Sequence, residues 1–467
     1  MSTVRHTNIA GLNTYLNPLN RNGIGMIRAV NVVSYPYGAK TKRSGYTPIG
    51  TVPSGTTVTD LFSWEKGDGS KFLYASSGGN LYCSIAGTGS FSACTNGAVS
   101  GTVSHDVLND TLVIADGVGS TRHTTNGTAF TDTILAPVMV SVAMFQNRIY
   151  GGGTASTLFY SSANDATNWS TSGTSDSNSL QIPGAGRILS VFASNDRLLA
   201  SKTSGMMYKW DGYSLLDMST DMGPTSPKSL ASHEGNQFWF NDHGIMGYNG
   251  ARPENMSVAV QPMIFNTSFT GITGTQLLKI PATCHKFTYY SSIGTVTDDV
   301  TGYSISDCVM RYDVQKNELL TWKMANAPTA WTACNDINND NQLYFGDDNG
   351  IIYKVDGTVS SDNGSPIESI MEFIIDLDKP EDEKKWDWLT MFFNPGCQAK
   401  VAYSCSNTFV KDRRDWKEMG DCTSGVMRFR FPADSRSRLL FIRIYENSKD
   451  SGFSFYGMTI KGDVIEK

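Results

Sequence analysis

One phrase recurs along this chain in different spellings. It reads NQFWFNDHGIMGYNG at 236–250, NQLYFGDDNGIIYKVDG at 341–357 and DRLLASKTSGMMYKWDG at 196–212. Each copy sets a short aromatic or aliphatic run, a turn of Gly with Asp or Asn, and a second short run closing on Asp-Gly or Asn-Gly. Looser copies lie at 71–85, 110–124, 147–162 and, with a longer middle loop, 285–314. The seven copies are spaced unequally, roughly 40 to 55 residues apart, a period typical of solenoids and propellers. A short alternating or apolar run is a strand with at least one buried face. Gly, Asp and Asn accept the positive φ of a tight turn, so the second run folds back on the first.

A lone hairpin buries too little to be stable in water. Further strand candidates precede the hairpins: LFSWEKG at 61–67, RILSVFASN at 187–195 and KSLASHEG at 228–235. One strand before and one after each hairpin make a four-stranded unit, which buries its faces only against the next unit; a ring removes the exposed ends. Forty residues is short for a sandwich and ordinary for a propeller blade. No run of ten residues carries the helical stripe that parallel crossovers need. The predicted fold is all-β: a β-propeller of about seven blades over 61–362. An N-terminal extended segment, 1–60, offers a ring-closing strand. Texture changes at SSDNGSPIES, 360–369. Beyond it, 363–467 reads as an antiparallel β-sandwich-like region or an elaborated closing unit, in which MRFRF and FIRIY set Arg on the face opposite the aromatics.

Net charge is −6, from 38 Lys and Arg against 44 Asp and Glu, which makes no general case for nucleic-acid binding. The first fifty residues, however, hold Arg5, Arg21, Arg28, Lys40, Lys42 and Arg43 and no carboxylate. Such a segment is expected to face a neighbouring subunit or DNA phosphates. No apolar run is long enough to span a bilayer, and the first residues lack a secretory apolar core. The expectation is a protein made in the cytoplasm. The eight cysteines form no CxxC pair. Cys83 and Cys94 bracket a hairpin, and reduced, buried thiols are expected there.

The search for chemistry returns little. There is no P-loop or dinucleotide fingerprint and no nucleophile elbow. The six histidines form no HExxH pair, although His233 and His243 flank one hairpin. No acidic turn has calcium-loop spacing. No catalytic, metal-binding or cofactor-binding residue is predicted. YSSANDATNWS, 160–170, resembles the Asp-box hairpin of sialidase-type propellers, with Ser161, Ser162, Asn164, Asp165 and Trp169 as its structural turn. Arg148, Arg187 and Arg197 are the arginines available to a sialidase-like site, but no companion motif selects them, and hydrolysis needs positioned carboxylates or a substitute.

The phrases together resemble a family of tailed-phage virion proteins: packaged-DNA stabilisation, tail hub or nozzle-like proteins. AVNVVSYPYGAKTKRSGYTPIG, 29–50, resembles the family's opening phrase at Asn31, Gly38, Lys42, Arg43, Gly45 and Tyr46. The likeness continues through FYSSANDATNW, through GPTSPKSLASHEGNQFWFNDHGIMGYNG at 223–250, and through the terminal strands. The resemblance implies a structural virion component of a bacteriophage tail, a non-enzymatic homo-oligomer of six copies. It would extend the portal channel, retain packaged DNA, contact the portal or head-tail adaptor, and mount a tail needle, fibre or distal tail protein. Contact with genomic DNA would be nonspecific, with no membrane partner and no cofactor. The other readings are a receptor- or carbohydrate-binding propeller of a tail fibre or surface protein, with Trp210 and Trp239 as sugar platforms, and a sialidase-like glycan-degrading enzyme.

Overall fold

The computed structural model describes residues 2–465 except 7–8, 15–23, 35–37, 173–174, 195–196, 220, 266–268, 300, 378–380, 408–414 and 450. Among the described residues the α-helices are two single turns, Gln261–Ile264 and Gly274–Leu277. Among the described residues no helix is long and apolar enough to cross a membrane. The chain is all-β, built from repeating four-stranded antiparallel sheets that resemble propeller blades, with a distinct C-terminal β region.

Each recurring phrase supplies the second and third strands of one such sheet. The first unit runs Val58–Glu65, Lys71–Ser77, Asn80–Ile85 and Ser92–Ala98. Units two to five follow the same sequential order and begin at Ser104–Leu108, Met139–Phe145, Ile188–Ser194 and Ala231–His233. The sixth holds Ala282–His285, Thr288–Asp298, Ser304–Asp313 and Glu318–Trp322. The seventh takes only Ala330–Asn335, Asn341–Gly346 and Ile351–Val355 from its own stretch. Its fourth strand is Tyr46–Thr51, antiparallel to Ile351–Val355 with Tyr46 opposite Val355, and the short pair Ser361–Asp362 and Ser365–Pro366 extends the sheet beyond it.

Turn chemistry explains the repeated wording. An Asx residue at or just after the end of several phrases accepts backbone N–H bonds two or three residues on. Asp211 holds Tyr213 and Ser214, Asn126 holds Thr128 and Ala129, and Asp356 holds Thr358. These are Asx turns. Several two-residue hairpins have both central residues at positive φ, as in Asn109–Asp110 and Gln146–Asn147, the backbone that matches strand twist. Gln146 and Phe287 take this conformation without a residue type that advertises it.

Burial occurs between units. Phe62, Trp64 and Tyr74 of the first pack with Leu112, Ile114 and Phe130 of the second. Similar clusters join the second to the third, the third to the fourth, the fourth to the fifth, and the sixth to the seventh. The seventh meets the first through Tyr344, Ile352, Val58, Leu61 and Leu73.

The sixth unit does not end as a blade. Glu318–Trp322 lies parallel to Ile24–Val30, which pairs with Ser369–Ile375, and the sheet continues through Leu439–Glu446, Ala399–Ser406 and Lys417–Cys422 to eleven strands. A second, seven-stranded sheet contains Ser2–His6, Val32–Ser34, Lys40–Lys42, Glu383–Phe393, Val426–Arg430, Arg436–Ser437 and Ser454–Ile465. The two sheets face each other through one core that includes Phe373, Ile442, Val401, Trp386, Leu389, Met391, Phe455 and Ile460. Residues 2–42 therefore supply strands to both C-terminal layers. All eight cysteines are free thiols, and Cys83 and Cys94 share the core between the first two units.

Candidate functional site

Two places gather polar side chains: the cavity at the centre of the repeated sheets, and the junction between them and the C-terminal region. The cavity measures about 460 Å³ and is lined by residues from the first strands of all seven units. Such strands alternate, one side chain toward the cavity and the next toward a neighbouring sheet. Ser104 and Ser141 stitch sheets together. Val142 N donates to Ser104 Oγ at 3.0 Å, Val191 N donates to Ser141 Oγ at 2.9 Å, and Ser141 Oγ donates to Val191 O at 3.1 Å. Asp106 accepts from Met144 N of the next unit at 2.6 Å. These groups are committed to the fold.

One ion pair joins non-adjacent units. Lys228, just before the fifth unit, stands 3.3 Å from Asp60 Oδ1 of the first and also donates to the Thr59 carbonyl at 2.5 Å. Asp60 is 7% exposed; burial pushes its carboxyl up, opposed by Lys228. His105 stacks on Phe62 with centroids 4.2 Å apart, and burial lowers its pKa to about 4. The lining contains no arginine, and its carboxylates are Asp60 and Asp106. Burial raises the Cys284 thiol, so that nucleophile is not activated. Among the described residues no group of three or more His, Cys, Asp and Glu is placed to hold a metal ion. His233 and His243 stand at opposite ends of Asn236–Asn241, so flanking one hairpin does not bring them together.

The junction is where most of the basic segment lies. Arg28, Lys40, Lys42 and Arg43 are between 2% and 8% exposed. Arg43 donates to both oxygens of Asp362 at 2.7 and 2.5 Å, to Asn31 Oδ1 at 2.7 Å and to the Lys323 carbonyl at 2.8 Å. Lys42 meets Glu446 and the carbonyls of Ser448 and Ser451. Lys40 meets Glu318 and Ser34; burial lowers its pKa against the pull of Glu318. Arg28 pairs with Glu372 at 2.9 Å and Asp298 at 3.3 Å, and lies over the Tyr303 ring at 4.3 Å. These four side chains face carboxylates of their own chain, not a subunit or DNA surface. The segment has no acids of its own because its partners come from residues 298–446. Arg5 is exposed, and Arg21 lies outside the described residues.

The remaining residues of the opening phrase build the same clasp. Asn31 sits at φ 56° and donates to the Glu368 carbonyl at 2.7 Å. A Cβ on Gly45 would fall 1.8 Å from the Ser361 carbonyl oxygen. Tyr46 is fully buried, and its hydroxyl donates to Asn326 Oδ1 at 3.1 Å. Gly38 takes φ 79°.

In the Asp-box-like turn, Asp165 accepts from Thr167 N at 2.9 Å, Asn164 holds φ 60°, and Ser161 Oγ accepts from Ile149 N at 3.1 Å. Ser162 N donates to the Asn168 carbonyl at 2.9 Å. Trp169 is 5% exposed and packs between the second and third units. Arg148 pairs with Asp176 and lies over Tyr160; Arg187 and Arg197 likewise lie outside the cavity lining. Trp239 is fully buried, and Trp210 packs against the core of units three and four, so neither presents an open sugar platform. The Asp60–Lys228 pair was not legible in sequence. VTDLF shows Asp60 alternating with apolar neighbours, but nothing near Lys228 signals its partner.

No family model matches the chain, and no curated protein matches it. Similar solved structures include BamB from Moraxella catarrhalis, 15% identical over 76% of this chain and 96% of that chain, with a TM-score of 0.39. Others are YCF48 from Cyanidioschyzon merolae (10%, 67% and 98%, TM-score 0.43) and BBS1N in complex with ARL6DN (10%, 68% and 98%, TM-score 0.44). At this distance they carry no argument about function.

Proposed function

We propose that this chain is a non-enzymatic scaffold: a closed seven-bladed propeller, sealed by Tyr46–Thr51 and fused rigidly to a C-terminal β-sandwich. The observation that carries this reading is the eleven-stranded sheet running from the sixth unit into the C-terminal region. The buried clasp of Arg43 with Asp362 and Lys42 with Glu446 reinforces it. A body joined by continuous strand pairing and desolvated charge has no free hinge there, which suits a part that bears load and presents loops to partners. The cavity supports the non-enzymatic side, since Ser104, Ser141 and Asp106 are spent on inter-sheet bonds.

The setting we propose is the tail of a bacteriophage, as a hub or nozzle of six copies below the portal or adaptor. It would retain packaged DNA and mount a needle, fibre or distal tail protein. Support for the setting is the family-like phrasing of residues 29–50, 159–169 and 223–250. Electron microscopy of the purified chain and of the particle that contains it tests both parts. The expected result is a seven-lobed disc in each subunit and a ring of subunits at the tail vertex. Absence from particles would overturn the setting, and hairpins spread over separate lobes would overturn the scaffold.

A further inference from the structure

The seven-stranded C-terminal sheet has one face in the core and one in solvent. Strand pairing aligns two rows across its outer face. One row is Thr3, Lys461, Trp388 and Arg430; the other is Arg5, Thr459, Thr390 and Arg428. Residues directly opposite one another project to the same side. The row between them, with Ile460, Leu389 and Phe429, points into the core. Arg5, Arg428 and Arg430 are exposed, and Lys461, Trp388 and both central threonines are half-buried.

The two rows therefore hold four cations, three hydroxyls and an indole; the one carboxylate beside them is Asp387, the extra residue of the bulge between Trp386 and Trp388. On one flank, Asp463 is answered by Lys385 and Arg436 in the next row. On the other, Gly457, Phe392 and Val426 form an uncharged border. Rows on one face are about 6.8 Å apart along the strand, and four strands span about 14 Å. This is a compact positive field on a chain whose net charge is −6.

We infer that this face binds the phosphate backbone of double-stranded nucleic acid. The occupant follows from charge complementarity and from what the face lacks. The charged rows themselves carry no exposed aromatic or aliphatic anchor of the kind that dominates protein–protein affinity, and at their border a single aliphatic side chain, Val426, is exposed. They offer arginines and hydroxyls, the donors that contact phosphate without reading bases. The indole is already covered. The Arg428 guanidinium lies 4.2 Å and that of Arg430 5.6 Å from its ring centroid. Trp388 thus orients the two arginines instead of offering the open stacking surface that single-strand binders use. The inference rests on the scaffold reading only for its biological setting, and it corrects the sequence expectation about where positive charge is available: of the five described residues among those first singled out, Arg5 alone belongs to this face.

The test is fluorescence anisotropy of the full chain with a labelled 20-base-pair duplex of arbitrary sequence, titrated across salt. Weak, sequence-independent binding near 10⁻⁵ M is expected, with log K falling against log salt at a slope of about −3 to −4 if all four cations engage. Arg428→Gln with Arg430→Gln should lower the slope's magnitude by about 2, and Arg5→Gln by about 1. Lys279→Gln, on an exposed loop of the repeated sheets, should change nothing. All four substituted positions are exposed, so folding is preserved and is checked by the thermal midpoint. No duplex binding at 50 mM salt would overturn the inference, as would binding unaffected by the double variant. Equal or tighter binding of poly-glutamate would assign the face to an acidic protein instead, and equal or tighter binding of a single strand would remove the duplex. None of these outcomes touches the microscopy test of the scaffold.

Discussion

Replacing Arg43 by Leu should cost this protein far more than a surface arginine would. Arg43 is 2% exposed and Asp362 is 3% exposed, so both charges are out of water. The guanidinium binds the carboxylate in a two-point fork and adds bonds to Asn31 and to the carbonyls of Lys323 and Ser44. Removing it leaves a buried carboxylate without its counter-charge, a loss of about 3–5 kcal/mol. Arg43→Leu with Asp362→Leu should recover much of that, because a buried pair replaced by apolar groups of similar size is often near neutral. Recovery stays incomplete because the Lys323 carbonyl still loses its donor. Urea unfolding with a shared m-value measures both variants. Amide exchange at 46–51 and 351–355 reports whether the seventh unit's fourth strand loosens first. A loss below about 1 kcal/mol for the single variant, on the same scale, or a double variant no more stable than the single, would show that the clasp does not hold the N-terminal strand in place.

Gly45→Ala should destabilise by at least about 2 kcal/mol, because the new Cβ meets a backbone carbonyl that cannot swing aside; a thermal midpoint within a degree of the parent would contradict the close approach. Trp169→Ala empties a buried site between the second and third units and should cost about 3–5 kcal/mol, against about 1 kcal/mol for Asp165→Ala, which removes turn bonds near the surface; urea midpoints rank the two. His105 gives a pH dependence. Its pKa is lowered from 6.5 to about 4 in the fold, so below pH 6.5 the unfolded chain takes up a proton that the folded chain refuses. Stability is lost as pH falls through that window, by at most about 1.4 kcal/mol per unit, and by less because the ring borders the cavity. His105→Gln should flatten the pH 5-to-7 difference in urea midpoint, and an unchanged difference would assign the slope to other groups.

The units were legible because their signal is local. A strand of alternating residues, a turn residue that tolerates positive φ and an Asx that caps its own loop all lie within about fifteen residues, which is why all seven hairpins from 71–85 to 341–357 were found. In the Asp-box-like turn, Ser161 and Asp165 act on neighbours in the chain, whereas Trp169 packs against the second unit, more than fifty residues away. A ring-closing strand was expected somewhere within residues 1–60, but its place at Tyr46–Thr51 is set by a partner strand some three hundred residues away.

Charge was the property that sequence assigned to the wrong place. A run of six basic residues without an acid reads as a surface patch when only neighbours in the chain are considered. Tertiary structure decided otherwise, because Glu318, Asp362, Glu372 and Glu446 arrive from distant strands and four of the six cations leave solvent to meet them. The exposed positive face was assembled in the opposite way, from Arg5, Arg428, Arg430 and Lys461, cations that no short window contains together. By itself the sequence determined strands, turns and the units they form, since these depend on side-chain period and φ preference. Only the tertiary structure decided which charges are buried and which face outward, since desolvation depends on what packs across a sheet from elsewhere in the chain.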